Sequence, residues 1–231
     1  MTQRTRLSRA TIAEAAIALC DEDGVAALSM RKVAARLGVG TMSLYHYVRT
    51  KDELLTLMSD GIMGELLLDE VPRGWREGLR AVALQTKAAF DRHGWLLQEM
   101  LTGGGSAGEN GMRHFEQSVA PLDGLGLSRE QRLHIISLVD EYAFGFMLSH
   151  AANAREIADE EQLTEAVDYI EEQIATGEFP HAAALLEEGE SVAEVTRAMF
   201  ESVADAGRYE SGLDILLDGI EVHLRRLGAL P

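Results

Sequence analysis

Apolar residues return at intervals of three and four along nearly the whole chain, and this periodicity leaves little room for any fold but a helical one. Strands need alternation bounded by turn residues, and such runs are scarce; only four prolines interrupt 231 residues. The expected fold class is therefore all-α. Three helix starts carry a hydroxyl followed three residues later by Glu or Gln, so that the two side chains satisfy orphan backbone N–H groups reciprocally: Thr50/Glu53, Ser128/Gln131 and Ser191/Glu194. Breaks are expected at Gly24, Gly38, Val71–Gly74, Gly103–Gly111, Pro121–Gly126, Gly177–Pro180 and Gly189.

The first fifth of the chain is the most specific. A helix is expected from Ser8 to about Glu22, with Ile12, Ala15, Ala16 and Leu19 inward and Gly24 as its stop. A short helix over Met30–Arg36 starts at Ser29, Gly38 permits a sharp turn, and a third helix runs from about Gly40 to Tyr47. Val33, Ala34, Leu37, Val39 and Leu44 close a small core, leaving Arg31, Thr41, Ser43, Tyr45 and His46 to point elsewhere. Two short helices around a tight glycine turn are helix-turn-helix geometry. The second must enter a major groove with donors, acceptors and flat apolar edges outward, and Gly40–Tyr47 supplies them. Arg31 and Lys32 precede it and Arg49 and Lys51 follow it, where the phosphates of one groove would lie; Arg4, Arg6 and Arg9 suit a mobile arm.

Charge is segregated in the same sense. The formal net charge of −17 argues against nucleic acid for the chain as one object. Residues 1–51, however, carry eight Lys/Arg against four acids, a net of +4, whereas the remaining 180 residues carry 13 against 34, a net of −21. Only the head faces phosphate comfortably.

These residues resemble the TetR (tetracycline repressor) family of transcriptional regulators. The resemblance rests on Leu7–Arg9, Ala15–Ala16, Gly24–Val25, Leu28–Ala34, Leu37–Val39, Ser43–Val48 and Lys51–Leu55, roughly 50 residues in register. It implies base or groove contacts from Arg31, Thr41, Met42, Ser43 and His46, and phosphate contacts from Tyr45, Tyr47 and Lys51. At Met42 a thymine-methyl contact is more natural than hydrogen-bond readout. The alternative for Tyr45 and Tyr47 is that both are core aromatics.

Behind the head, a longer helix from Thr50 with Leu54, Leu55, Leu57, Met58, Ile62 and Leu66 is suited to connect it to the rest. Ser128–Ala152 is apolar nearly all round, and Ser211–Leu227 shows a stripe of Leu213, Leu216, Leu217, Ile220, Leu224 and Leu227. Two such helices from each of two chains make a four-helix bundle, so a homodimer through 128–152 and 211–227 is expected. Trp75–Arg80 and Tyr209–Ile220 are similar to the C-terminal domain of the tetracycline-repressor subgroup. The expected domains are 1–50 for DNA and 51–231 for effector binding and dimerisation. Candidate effector-lining residues are Trp75, Leu79, Phe90, His93, Trp95, Met100, Met112, Phe115, Tyr142, Phe146 and His150. Each taken alone is as readily ordinary core. Val82 and Thr86 replace the polar and aromatic drug contacts that the resemblance implies, so tetracycline is not the expected effector.

Other chemistry is poorly supported. Gly103–Gly108 satisfies the dinucleotide pattern, but a helical pattern precedes it where a strand is required. Seven histidines form no His-Glu-x-x-His pair, and Cys20 is the only cysteine, so neither a metal, a cofactor nor a disulfide is expected. No apolar run approaches the roughly 20 residues of a membrane span, and a cytoplasmic protein is expected. The reading is a ligand-responsive repressor that binds a palindromic double-stranded operator as a homodimer, is released by a small, largely apolar or aromatic effector, and is not an enzyme. Its rivals are an all-α bundle enzyme, which leaves the cationic head unexplained, and an adaptor using the terminal helices for another protein.

Overall fold

The computed structural model describes residues 7–97, 108–157, 160–186, 190–204 and 207–231. Among these the fold is all-α, with eleven α-helices and no strand. They are α1 (Arg9–Asp23), α2 (Met30–Leu37), α3 (Thr41–Tyr45), α4 (Lys51–Glu65), α5 (Trp75–Arg92), α6 (Glu109–Val119), α7 (Arg129–Ile157), α8 (Glu160–Ala175), α9 (Pro180–Ala183), α10 (Val192–Ala204) and α11 (Gly207–Arg226). Two compact units are distinguished: residues 1–140 with 217–231, and residues 141–216.

In the first unit α1 packs on both α2 and α4, and α2 on α3. Ile12, Val33, Leu44, Val48, Leu54, Met58 and Ile62 are fully buried. Burying one such side chain contributes about 1.5–3 kcal/mol, so these contacts bind the head to its connecting helix. Ser8 caps α1: its hydroxyl accepts the Thr11 N–H, and the Thr11 hydroxyl accepts the Ser8 N–H at 2.9 Å. Threonine performs the reciprocal role usually filled by Glu or Gln, which is why a search for those residues passes over it. The boxes at Ser128/Gln131 and Ser191/Glu194 form in full. That at Thr50 forms by half, because the Glu53 carboxylate accepts the N–H of Arg49 and not that of Thr50.

Two glutamines close the far end of α4. Gln85 donates to the carbonyl of Glu65 at 2.6 Å; Gln117 donates to that of Leu66 at 2.6 Å and accepts the N–H of Leu68 at 3.0 Å. Terminal carbonyls that a helix leaves without partners are thereby satisfied from α5 and α6. Arg76, at the start of α5, pairs with Asp218 at 2.6 Å. Gly78 lets α5 lie against Pro121, whose Cγ stands 2.6 Å from where a Cβ would sit.

Four expectations need adjustment. The third helix is shorter, Thr41–Tyr45, with His46 and Tyr47 in the turn after it. Helices α7 and α11 reach Ile157 and begin at Gly207, beyond the expected 152 and before the expected 211. Leu37 and Val39 are half-buried at the edge of the head's core. Of the predicted stripe, Leu213, Leu217, Ile220 and Leu224 are buried within the chain itself and Leu227 is exposed, as are Ile215 and Val222 outside the stripe. Met100, Gly103–Ala107 and Gly189 lie outside the described residues, as do Arg4 and Arg6.

Candidate DNA interface and effector region

Helix α2 starts because Ser29 is extended and its hydroxyl accepts the Lys32 N–H. It ends because Gly38 takes φ +67° and ψ +29°, the left-handed conformation that costs a residue with a Cβ roughly 1 kcal/mol. Gly40 then sits extended at the start of α3. Leu44 is the anchor on the inner side, 0% exposed. On the outer side Met42 is 74% exposed, Tyr45 42% and Tyr47 37%, with His46 exposed and Thr41 and Ser43 half-buried. The two tyrosines are therefore exposed and not core aromatics.

The cations around α3 divide into two sets. Arg36 makes a two-pronged bond to Glu22, at 2.7 and 2.6 Å, and Lys32 pairs with Asp23 at 3.2 Å. Arg9 belongs to α1 itself and donates to the carbonyl of Tyr47 and to Glu53, both at 2.8 Å. It is a strut between α1 and the start of α4, not part of a mobile arm. The Arg49 N–H and the Arg9 guanidinium hold the Glu53 carboxyl below the usual carboxylate range, and Arg36 does the same for Glu22. Arg31 and Lys51 are exposed and form no ion pair among the described residues. They stand before and after α3, where charge toward phosphate carries no internal commitment.

The effector candidates fall into separate environments. Leu79 and Phe90 are buried in the first unit. Trp75 lines a cleft with Pro72, Pro121 and Leu125. His93 and Trp95 are engaged with Asp21, and Met112 and Phe115 are exposed on α6. In the second unit Tyr142, Phe146 and His150, four residues apart on α7, form an aromatic column, with Phe146 stacked on His150 at 5.9 Å. Tyr209 of α11 closes on Tyr142 and Phe146 at 5.4 and 5.2 Å, a partner that sequence reading of α7 alone misses. The Tyr142 hydroxyl donates to the Tyr209 carbonyl at 2.8 Å, and burial pushes its pKa up. Gly212 leaves room for that hydroxyl. A cavity of about 520 Å³ beside the column is lined by Glu141, Tyr142, Gly145, Phe146, Ser149 and Arg208. The Nδ1 of His150 is buried and has no hydrogen-bond partner among the described residues.

Residues 12–58 match the family model described as bacterial regulatory proteins, tetR family, and residues 69–224 match that of the tetracyclin repressor-like C-terminal domain. The chain belongs to the TetR family. It is 34% identical over 218 residues to the HTH-type transcriptional repressor DrrR1 of Streptomyces coeruleorubidus, covering 91% of this chain and 76% of that one. It is 35% identical over 140 residues to an HTH-type transcriptional regulator of Saccharopolyspora erythraea, covering 60% and 59%. Among solved structures, apo ActR from Streptomyces coelicolor superposes with a TM-score of 0.73 at 25% identity, over 96% of this chain and 98% of that one. ActR in complex with actinorhodin gives 0.70 at 26%, over 95% and 97%. As a member of the TetR family the protein is a transcriptional repressor with an N-terminal helix-turn-helix. Among the described residues no helix is long and apolar enough to cross a membrane.

Proposed function

We propose that this TetR-family protein acts in the cytoplasm as a homodimer on a palindromic operator, with domains divided near residue 50. Arg31, Thr41, Met42, Ser43 and His46 would meet bases or groove edges, and Tyr45, Tyr47 and Lys51 phosphates. The observation that carries this reading is the pairing pattern of the cations: Lys32, Arg36 and Arg9 are spent within the head, whereas Arg31 and Lys51 flank the exposed face of α3 without ion pairs among the described residues. Dimerisation would use α7 and α11. It acts by binding and not by turnover, in keeping with relatives named as transcriptional regulators.

The effector is a small aromatic molecule bound by Tyr142 and Phe146. Arg208 beside them suits an acidic or phenolic group, and His150, stacked on Phe146, has an Nδ1 without a hydrogen-bond partner among the described residues. ActR, solved in complex with actinorhodin, is a structural neighbour in keeping with that class. The test is selection of duplexes from a random library by the purified protein, followed by mobility shift with aromatic acids added. Recovery of a palindrome that such compounds release supports the reading. Binding no tighter to any duplex than to bulk DNA overturns it.

A further inference from the structure

His93 holds two helices through two carboxylates at once. Its side chain is 7% exposed; Nδ1 lies 2.8 Å from Oδ1 of Asp21, near the end of α1, and Nε2 lies 3.1 Å from Oε2 of Glu65, the last residue of α4. The residues beside it engage the same two acids. The Trp95 indole donates to Asp21 Oδ1 at 2.7 Å, and Arg92 Nη1 lies 2.9 Å from Glu65 Oε2. The C-terminal ends of α1 and α4 are thus gathered at the end of α5.

The chemistry of the ring decides what this arrangement is. An ionised carboxylate only accepts, whereas a neutral imidazole offers one N–H and one lone pair. Set between two carboxylates, a neutral ring turns its lone pair toward an oxygen; the doubly protonated ring donates to both. Asp21 faces His93, and Glu65 faces both His93 and Arg92; of the four side chains the His93 ring is the buried one. Both ring nitrogens are committed. His93 therefore has no nitrogen left for an effector, which distinguishes it from His150.

We propose that His93 is a positioning residue for operator recognition: as a two-sided clasp between Asp21 and Glu65 it fixes the angle at which α4 carries α1 and the helix-turn-helix packed on it. This rests on the reading of the head as the operator-binding element. A specific complex needs the recognition helix in one register, whereas a non-specific complex held by phosphate charge tolerates a loose head. The clasp therefore acts on discrimination, not on general affinity for DNA.

The experiment uses the full-length protein and a duplex recovered from a random library by the wild type, compared with a scrambled duplex by fluorescence anisotropy. The ratio of the two affinities is expected to fall about tenfold or more in His93→Ala and in the neutral His93→Gln, while scrambled-duplex affinity stays within about twofold. His93→Arg, with a permanent charge and forked donors, is expected to restore most of the ratio. Asp21→Asn removes one charged acceptor without opening the core and is expected to give a partial loss, so it decides the matter if His93→Ala does not fold. A merely structural role lowers both affinities together with the melting temperature and gains nothing from the bulkier arginine. An unchanged ratio in His93→Gln and Asp21→Asn, or parallel losses on both duplexes, overturns the proposal. A wild type with no preferred duplex overturns the operator reading, and the clasp's role with it.

Discussion

Asp60 of α4 caps a helix that begins 49 residues away: its Oδ1 accepts the backbone N–H of Asn110 at 3.0 Å, and the Asn110 amide returns to the Asp60 carbonyl at 2.9 Å. A carboxylate at a helix N-terminus satisfies orphan N–H groups and meets the positive end of the helix dipole. Gly108 is part of the same device, because a Cβ there would collide with the Asp60 carboxylate. Asp60→Ala is expected to cost about 1 kcal/mol, within the range of a lost N-cap. Gly108→Ala should cost at least as much, since it displaces the cap as well. Urea denaturation of each variant measures both; a Gly108→Ala protein as stable as the parent would show that Asp60 does not occupy this position.

Arg31 and Lys32 are chain neighbours with different commitments. Lys32 is held by Asp23 at 3.2 Å, and Arg31 is exposed without an ion pair among the described residues. Arg31→Ala is expected to weaken operator binding by about 1–3 kcal/mol, at its own base step if it reads a base and evenly across sequences if it holds phosphate. Lys32→Ala should change affinity by much less. A salt titration of the shift distinguishes the two roles of Arg31, because loss of a phosphate contact lowers the slope by about one. Equal effects of the two substitutions would contradict the division of the head's cations.

The head was the most legible part of the sequence, and the reason is local. Val33, Ala34 and Leu44 are spaced within one short segment, and Gly38 marks its turn in the same stretch, so periodicity alone places the two helices. The commitments of charged groups were not legible, because they cross long separations. Arg9 meets Glu53 from 44 residues away, and His93 meets Asp21 from 72. Neither pairing leaves a trace in periodicity, which is why Arg9 read as part of an arm. The stripe on α11 failed differently: its spacing correctly marks a buried face, but spacing does not say whether the cover is the same chain or another. Leu213 and Leu217 find cover at home.

Acid should act on the protein through His114. Burial holds its pKa below the ordinary value, and Nδ1 stands 3.0 Å from the Gln117 amide nitrogen, a donor that only the neutral ring can accept. As pH falls below about 6.5 the unfolded chain takes up a proton that the folded chain resists, so stability declines until the folded value is passed and then levels off. The Gln117 bonds to Leu66 and Leu68 lie next to this ring, and the end of α4 is expected to loosen first. His114→Asn removes the titration, and its denaturation midpoint should fall less than that of the parent between about pH 7.5 and pH 5. Parallel decline of the two proteins would remove His114 from the account.

Ile215 and Val222 lie seven residues apart on one face of α11, 70% and 50% exposed, with Gly219 between them and nothing around the place of its Cβ. Leu133 and Leu148 are the exposed leucines of α7, at 42% and 37%. Large apolar side chains at this exposure lose water only when a second surface covers them, and a glycine allows a second helix to approach closely. A stable dimer commonly buries about 800 Å² on each partner, more than two side chains supply, so both helices must contribute. The double variant Ile215→Glu with Val222→Glu is therefore expected to sediment as a monomer with unchanged helical content. Leu217→Ala, at a side chain 0% exposed, should instead destabilise the fold by about 2–5 kcal/mol. In the proposed dimer two linked heads would bind two half-sites as one event, so the monomeric variant should also lose affinity for a palindrome by on the order of 100-fold while keeping its affinity for one half-site. A wild-type chain that sediments as a monomer, or a double variant that still pairs, would assign this face to something other than a second copy.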